Sequence, residues 1–170
     1  MDKTIFCIAS LLRIILSYNF VYNTNLAPFI KAFGMNIIDW IDCGALKLLK
    51  LYQNNNFCQT EFYQKGDKIT DLVSYTFLLM YINQNKLLEK TNLALINFLF
   101  VYRLIGVISY LNTNNRNMLY YFPNYFLEIS MILLFIQYKN IDCKHGVMLV
   151  ILVIIFKLIQ EECLHKIGRA

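Results

Sequence analysis

Four aspartates that flank one polar connection are the residues of this chain best suited to chemistry. Asp39 and Asp42 are three residues apart, and Asp67 and Asp71 are four apart, so each pair shares one helical face. Since a helix rises about 1.5 Å per residue, Asp39 lies about 12 Å before that connection and Asp71 about 9 Å after it, measured along the helix axes. Carboxylates at one depth repel each other unless cations lie between them, and divalent ions such as Mg²⁺ prefer oxygen ligands. The spacing therefore predicts a site for divalent cations, and two such ions can clamp the phosphates of a displacement reaction.

The positions of these acids argue against a role that is only structural. Asp67 alone suits an N-cap or the first turn of a helix, where the helix dipole favours a negative charge. Asp39 and Asp42 interrupt an apolar run instead. An aspartate at the centre of a membrane helix costs about 2.5–3.5 kcal/mol on insertion scales. The four together therefore indicate a functional site.

The composition predicts that these acids lie in a membrane protein. Of 170 residues, 58% are hydrophobic and 16% are charged, and the mean hydropathy is +0.45. Soluble domains carry about 25% charged residues, and a chain of this size lacks the interior to bury so many apolar side chains. Disorder is excluded because it requires low hydrophobicity and high net charge. The net charge of +5 is too diffuse for nucleic acid, but it suits an anionic lipid surface or a phosphorylated substrate.

Five cysteines are scattered along the chain and form no CxxC pair. The odd count and irregular spacing predict neither a disulfide framework nor a zinc site. Most of these cysteines are expected to be small apolar packing residues.

Six hydrophobic segments approach the length of about 20 residues that a spanning helix needs. They cover residues 4–21, 27–51, 67–82, 92–111, 119–138 and 146–160. The connections are short and rich in asparagine, which favours turns. No internal repeat or second domain is evident. The sequence therefore predicts a single all-α domain over residues 1–170, an integral, multi-pass membrane protein with about six transmembrane helices.

The distribution of Lys and Arg predicts the orientation of these helices. Six spans place both termini on one side, with eight basic residues: Lys3, Lys47, Lys50, Lys65, Lys68, Arg116, Lys166 and Arg169. The other side has five: Lys31, Lys86, Lys90, Lys139 and Lys144. The bias predicts that the termini, the connection between the second and third helices, and the active site face the cytosol.

The aspartate pattern resembles that of the CDP-alcohol phosphatidyltransferases, whose motif is D-x2-D-G-x2-A-R, eight further residues, and G-x3-D-x3-D. Residues 39–47, DWIDCGALK, are similar to the first half, and residues 67–71, DKITD, to the closing D-x3-D. Residues 10–16, SLLRIIL, resemble the first-helix pattern of many members. Six helices in a chain of this length also fit the family, so the resemblance covers most of the chain.

The resemblance implies a phospholipid-synthesising transferase with a role for each aspartate. Asp39, Asp42, Asp67 and Asp71 would bind Mg²⁺ or Mn²⁺, and the metal would hold the pyrophosphate of a CDP-linked lipid. Asp71 would also act as the general base on a small alcohol, whose oxygen attacks the β-phosphorus and releases CMP. Members of the family often form homodimers, so a second copy of the chain is an expected partner beside membrane lipids.

Four further residues are candidates for substrate binding. Gly44 and Lys47 fall in the motif segment that lines the nucleotide pocket of the family. Arg13 and Arg103 are candidates for contacting phosphate groups, although each is equally suited to snorkelling or to pairing with Glu128.

Two other classes of protein remain open. The first is a catalytically inactive homologue with a structural or interaction role in the membrane. It is favoured by Cys43 at the first motif glycine, by Tyr63 at the second and by seven inserted residues between the motif halves. The second is a small transporter that uses intramembrane acids, but inverted repeats and a midplane helix break, which are typical of transporters, are not evident.

Overall fold

The structure, a computed structural model, describes residues 2–40, 52 and 56–167. Over these residues the regular structure is helical: α1 (Asp2–Tyr22), α2 (Pro28–Trp40), a 3-10 turn (Phe57–Gln59), α3 (Glu61–Gln84), α4 (Lys90–Thr113), α5 (Asn117–Tyr121), α6 (Phe126–Lys139) and α7 (Cys143–Ile167). The described part contains no strand, so the predicted all-α class is confirmed there. The end of the second predicted segment lies outside the described residues, together with Asp42, Gly44 and Lys47.

Three of the described segments are long and apolar enough to cross a membrane: Asp2–Tyr22, Lys90–Thr113 and Asn117–Lys139. This finding supports a membrane protein, whereas six spans are not confirmed by the described residues. The segment α3 is 24 residues long, but charged residues crowd its first three turns. Its mean hydropathy is therefore low for a membrane helix, although its buried face is continuous with the core.

The outer faces of the helices agree with a lipid environment. Ile8, Leu12 and Leu16 project from α1 with about half of their surface exposed, and Ile151 and Ile155 do the same on α7. Large contiguous apolar surfaces are rare on soluble monomers and mark contact with a membrane or a partner. These faces are therefore suited to contact with the acyl chains of lipids.

The fifth predicted segment is not one continuous helix, because the chain breaks between α5 and α6 at Pro123. Proline lacks an N–H group and disfavours helical geometry at the residue before it. Phe122 accordingly has φ −122° and ψ 65°. Arg103 Nη1 donates to the carbonyl oxygen of Phe122 at 2.7 Å, so this backbone group is satisfied without helix continuation. The break brings Asn124 into the interior of the bundle, where it is buried.

Two helix pairs position the polar interior: α1 packs along α3, and α2 packs along α6. The α1–α3 approach is close because Gly66 lacks a side chain. A Cβ atom at that position would lie 2.6 Å from the ring of Phe6. An apolar core that includes Val21, Met35 and Leu78 closes the end of the bundle away from Gly66.

Cys58 is disulfide-bonded, so the expectation of small apolar packing residues is wrong for this cysteine. Cys7 is an exposed free thiol. The number and spacing of cysteines along a chain do not fix which of them approach within the Cα separation that a disulfide requires.

Candidate functional site

A closed ring of alternating charges lies between α1 and α3. Arg13 donates from Nη1 to Asp67 Oδ1 and from Nη2 to Asp71 Oδ1, both at 2.8 Å. Lys68 Nζ donates to the other oxygens of the same carboxylates, to Asp67 Oδ2 at 2.8 Å and to Asp71 Oδ2 at 2.7 Å. All four carboxylate oxygens of Asp67 and Asp71 are thus bonded to protein cations.

Asp39 joins this ring from α2. Its Oδ1 atom lies 3.6 Å from Arg13 Nη2 and accepts a hydrogen bond of 2.8 Å from the hydroxyl of Tyr75. Asn124 Nδ2 in turn donates to Tyr75 Oη at 2.8 Å. The site therefore draws side chains from α1, α2, α3 and the break between α5 and α6.

The burial of these charges is uneven. The side chain of Asp71 is 4% exposed, Arg13 is 9% and Asp67 is 11%, whereas Lys68 and Asp39 are each 26% exposed. Buried charges are costly unless they are paired and hydrogen-bonded. Three carboxylates, those of Asp39, Asp67 and Asp71, contact two cations here, Arg13 and Lys68.

The local sequence explains why the acids of α3 point at α1. Thr60 caps the helix, and its Oγ1 accepts from the backbone N–H of Tyr63 at 3.3 Å. From that start, Asp67, Asp71 and Ser74 follow at spacings of four and three residues, which is one helical face. Ser74 meets Ser17 of α1 with Oγ atoms 3.1 Å apart. A polar stripe therefore runs along the middle of the α1–α3 contact.

The structure brings together four of the residues predicted to form the site, Arg13, Asp39, Asp67 and Asp71. Asp42, Gly44 and Lys47 lie outside the described residues. Arg103 is not bonded to the acids. It donates to the Phe122 carbonyl and, among the described residues, forms no ion pair.

Glu128 pairs with neither of the two arginines that the sequence suggested. Its Oε1 accepts from Lys157 Nζ of α7 at 2.7 Å. This contact lies between α6 and α7, and it uses a lysine from the most apolar segment of the chain.

Sequence reasoning missed three residues of the cluster. Lys68 was counted among the loop charges, although its position between Asp67 and Asp71 on one helix was a usable signal. Tyr75 is one turn beyond Asp71, which also places it on the polar face. Asn124 had no signal, because its burial depends on the break at Pro123.

Carboxylates are ligands that divalent metals prefer, but Arg13 and Lys68 bind all four carboxylate oxygens of Asp67 and Asp71. No group of three or more His, Cys, Asp or Glu in the described part is arranged to hold a metal ion.

No protein-family model, no curated protein and no solved structure matches this chain.

Proposed function

We propose that this protein is a membrane transferase that moves a phosphatidyl group from a CDP-linked lipid to a small alcohol and releases CMP. The observation that carries the proposal is the meeting of Asp39, Asp67 and Asp71 around Arg13. These aspartates come from the two halves of the motif and from two helices. Their arrangement in a bundle with membrane-type helices supports chemistry on a lipid phosphate.

The residues of the cluster have different roles in such a reaction. Asp39, Asp67 and Asp71, with Asp42 from the same motif, would hold Mg²⁺ or Mn²⁺, which neutralises charge on the pyrophosphate. Asp71 accepts the proton of the alcohol as its oxygen bonds to the β-phosphorus and the bond to CMP breaks. Arg13 holds the carboxylates of Asp67 and Asp71 in register through its two terminal nitrogens.

Substrate contacts beyond the acids are assigned by motif position and charge. Gly44 and Lys47 would border the nucleotide, and Arg13 would contact phosphate oxygens. Arg103 is the further candidate, because it is buried in α4 and, among the described residues, donates a hydrogen bond to the Phe122 carbonyl without forming an ion pair. Guanidinium groups suit this role since their planar donors match phosphate geometry.

The test is CMP release from CDP-diacylglycerol by membranes that contain the protein, with a panel of alcohols and with Mg²⁺ or Mn²⁺. Asp71→Asn keeps the size of the side chain but cannot accept the proton, so activity should fall about 10²–10⁴-fold. Asp142→Asn is the control, because Asp142 is exposed between α6 and α7 and pairs with His145. It should leave activity within a small factor of the parent.

Equal activity of Asp71→Asn and the parent would refute the base assignment. A parent that releases no CMP with any alcohol or metal would favour the second candidate, an inactive homologue with a structural role in the membrane. One observation favours that candidate: protein cations already bind every carboxylate oxygen of Asp67 and Asp71.

For the membrane topology, we propose six spans with the termini, the connection before α3 and the active site facing the cytosol. The Lys and Arg bias supports this orientation, although Lys31 and Lys68 no longer count as charges in loops. Lys31 is buried and donates to the Val21 carbonyl, and Lys68 belongs to the cluster. The disulfide at Cys58 supports the opposite orientation, because disulfides persist in oxidising compartments.

Labelling of Asn55→Cys, in a chain whose five native cysteines are replaced, decides between the two orientations. Modification only after the membrane is permeabilised would agree with a cytosolic connection. Modification of intact cells by an impermeant reagent would refute it.

A further inference from the structure

A buried arginine in the middle of α4 has no acidic partner among the described residues. Arg103 is 7% exposed and lies within the membrane-type segment Lys90–Thr113. Its Nη1 atom donates to the Phe122 carbonyl at 2.7 Å. A charged side chain within an apolar helix is costly, and such residues mark cavities and substrate pathways. Arg103 therefore indicates a binding site rather than a packing contact.

The guanidinium group of Arg103 keeps an unused edge. Its Nε and Nη2 atoms donate to no described residue, because the one hydrogen bond of this side chain comes from Nη1. Unlike Nε of Arg13, neither atom is fully enclosed by protein. Parallel donors on one edge of a guanidinium match the oxygens of a phosphate or a carboxylate. The free edge is therefore open to an anion.

The surroundings of this edge favour a negative charge. Lys68 of α3 is close enough for its charge and that of Arg103 to repel each other. Helix α6 begins just after Phe122, no described side chain caps it, and its first residue, Phe126, is buried. Unpaired N–H groups at a helix N-terminus carry partial positive charge. An anion beside Arg103 would therefore relieve repulsion between two cations and meet the positive end of a helix.

Asn124, between Phe122 and the start of α6, also has an unused polar atom. This residue is 7% exposed, and its Nδ2 donates to the Tyr75 hydroxyl. Its Oδ1 is enclosed and accepts from no described residue. Buried polar atoms are nearly always hydrogen-bonded, so an exception calls for a ligand or a water. This observation is independent of Arg103 and points to the same break in the helix.

We propose that Arg103 and the break at Pro123 bind a phosphate group, whose oxygens accept from Nε and Nη2 of Arg103. A phosphate is favoured over a carboxylate because its protonated oxygen can also donate to Asn124, whereas an ionised carboxylate only accepts. A lipid headgroup and a soluble phosphate ester share this chemistry. The inference rests on the proposed function, in which the phosphate belongs to a substrate, but the binding is measured without turnover.

The test is isothermal titration calorimetry of the full-length, detergent-solubilised chain with inorganic phosphate and, separately, with dihexanoyl phosphatidic acid at constant ionic strength. Binding of inorganic phosphate would show that the phosphate group alone is recognised. Binding of phosphatidic acid alone would assign the site to a lipid headgroup.

Two substitutions of Arg103 test its part in this binding. Arg103→Gln keeps a donor for the Phe122 carbonyl but removes the charge and the fork, so the Kd should weaken at least about tenfold. Arg103→Lys keeps the charge without the fork and should weaken the Kd about threefold or more. If the glutamine variant does not fold, the lysine variant decides, and a Kd equal to that of the parent would then overturn the proposal.

Arg116→Gln is the matched control, because Arg116 is exposed next to the start of α5. It should change the Kd by no more than about twofold, since salt screens an exposed charge. An equal weakening in Arg116→Gln and Arg103→Gln would show a general charge effect and overturn the proposal.

Two other results would also overturn it: a parent that binds neither probe, or a folded Arg103→Gln variant that keeps the Kd of the parent. Failure of the transferase proposal is read separately. A parent that releases no CMP but binds phosphate through Arg103 would refute the enzyme and keep the site. A parent that releases CMP, with phosphate binding unaffected by either Arg103 variant, would refute the site alone.

Discussion

Among the described residues, two charged contacts join different helices, one between α6 and α7 and one between α1, α2 and α3. At the first, Lys157 donates to Glu128 at 2.7 Å, and these side chains are 11% and 22% exposed. At the second, Arg13 and Lys68 face three carboxylates. The first contact is a hydrogen bond between two helices, while the second joins five charged side chains from three helices.

This difference separates a single contact between two helices from a network on which three helices converge. Removal of one charge from the network leaves several buried partner charges uncompensated, and removal of one partner of a buried ion pair is strongly destabilising. The predictions below compare the two contacts.

The largest difference is expected when one charge is removed from each contact. Arg13→Met leaves three carboxylates at the α1–α3 contact with only Lys68, and it should lower the free energy of unfolding by about 3–5 kcal/mol. Glu128→Gln keeps a hydrogen-bonding group opposite Lys157 and should cost about 1 kcal/mol, as polar contacts between membrane helices do. Equilibrium unfolding in mixed detergent micelles measures both. Equal losses in the two variants would show that the two contacts are energetically alike.

A smaller effect is expected from the glycine at each helix contact. A Cβ atom at Gly66 would lie 2.6 Å from Phe6 of α1, whereas one at Gly146 would lie 3.4 Å from Ile136 of α6. Gly66→Ala overpacks the α1–α3 contact and should cost about 1–3 kcal/mol. Gly146→Ala should be neutral or stabilise by up to about 1 kcal/mol, because alanine favours the helix. The same unfolding assay checks both, and a stabilised Gly66→Ala would contradict the close approach of α1 and α3.

The smallest effect is expected from the hydroxyl that steadies Asp39. Tyr75→Phe removes the donor to Asp39 and the acceptor for Asn124, and it should cost about 1 kcal/mol of stability. Tyr22→Phe is the comparison, because its hydroxyl is 3.5 Å from the Phe77 carbonyl, at the limit of a hydrogen bond. It should cost less than half as much. The account of Asp39 fails if the two phenylalanine variants unfold alike.

Much of this arrangement was predictable from the sequence because it depends on helical periodicity. The spacings 39–42 and 67–71 predicted shared faces, and apolar runs predicted helices. Arg13 was a candidate because it interrupts such a run. The helix start at Pro28 also follows from the preference of proline for the first turn. The predicted start of the third helix at Asp67 is wrong, because α3 begins at Glu61 after the cap residue Thr60.

The partners of charges that cross between helices were not predictable, since they depend on which helices meet. Lys31 looks like a loop cation in the sequence, but it is buried and donates to the Val21 carbonyl. Arg103 meets a backbone carbonyl that is available only because Pro123 breaks the helix. Sequence spacing carries no information on such contacts between distant segments.

Binding of Mn²⁺ to the detergent-solubilised chain tests most directly that Asp39, Asp67 and Asp71 form one cation site. Three proteins are compared: the parent, the double variant Asp39→Asn, Asp67→Asn, and Glu128→Gln as the reference from the other contact. We expect the parent and Glu128→Gln to bind with the same Kd. The double variant should bind at least about 100-fold more weakly, since even partners outside the ligand shell contribute 10–100-fold. Equal binding by all three proteins would contradict the account.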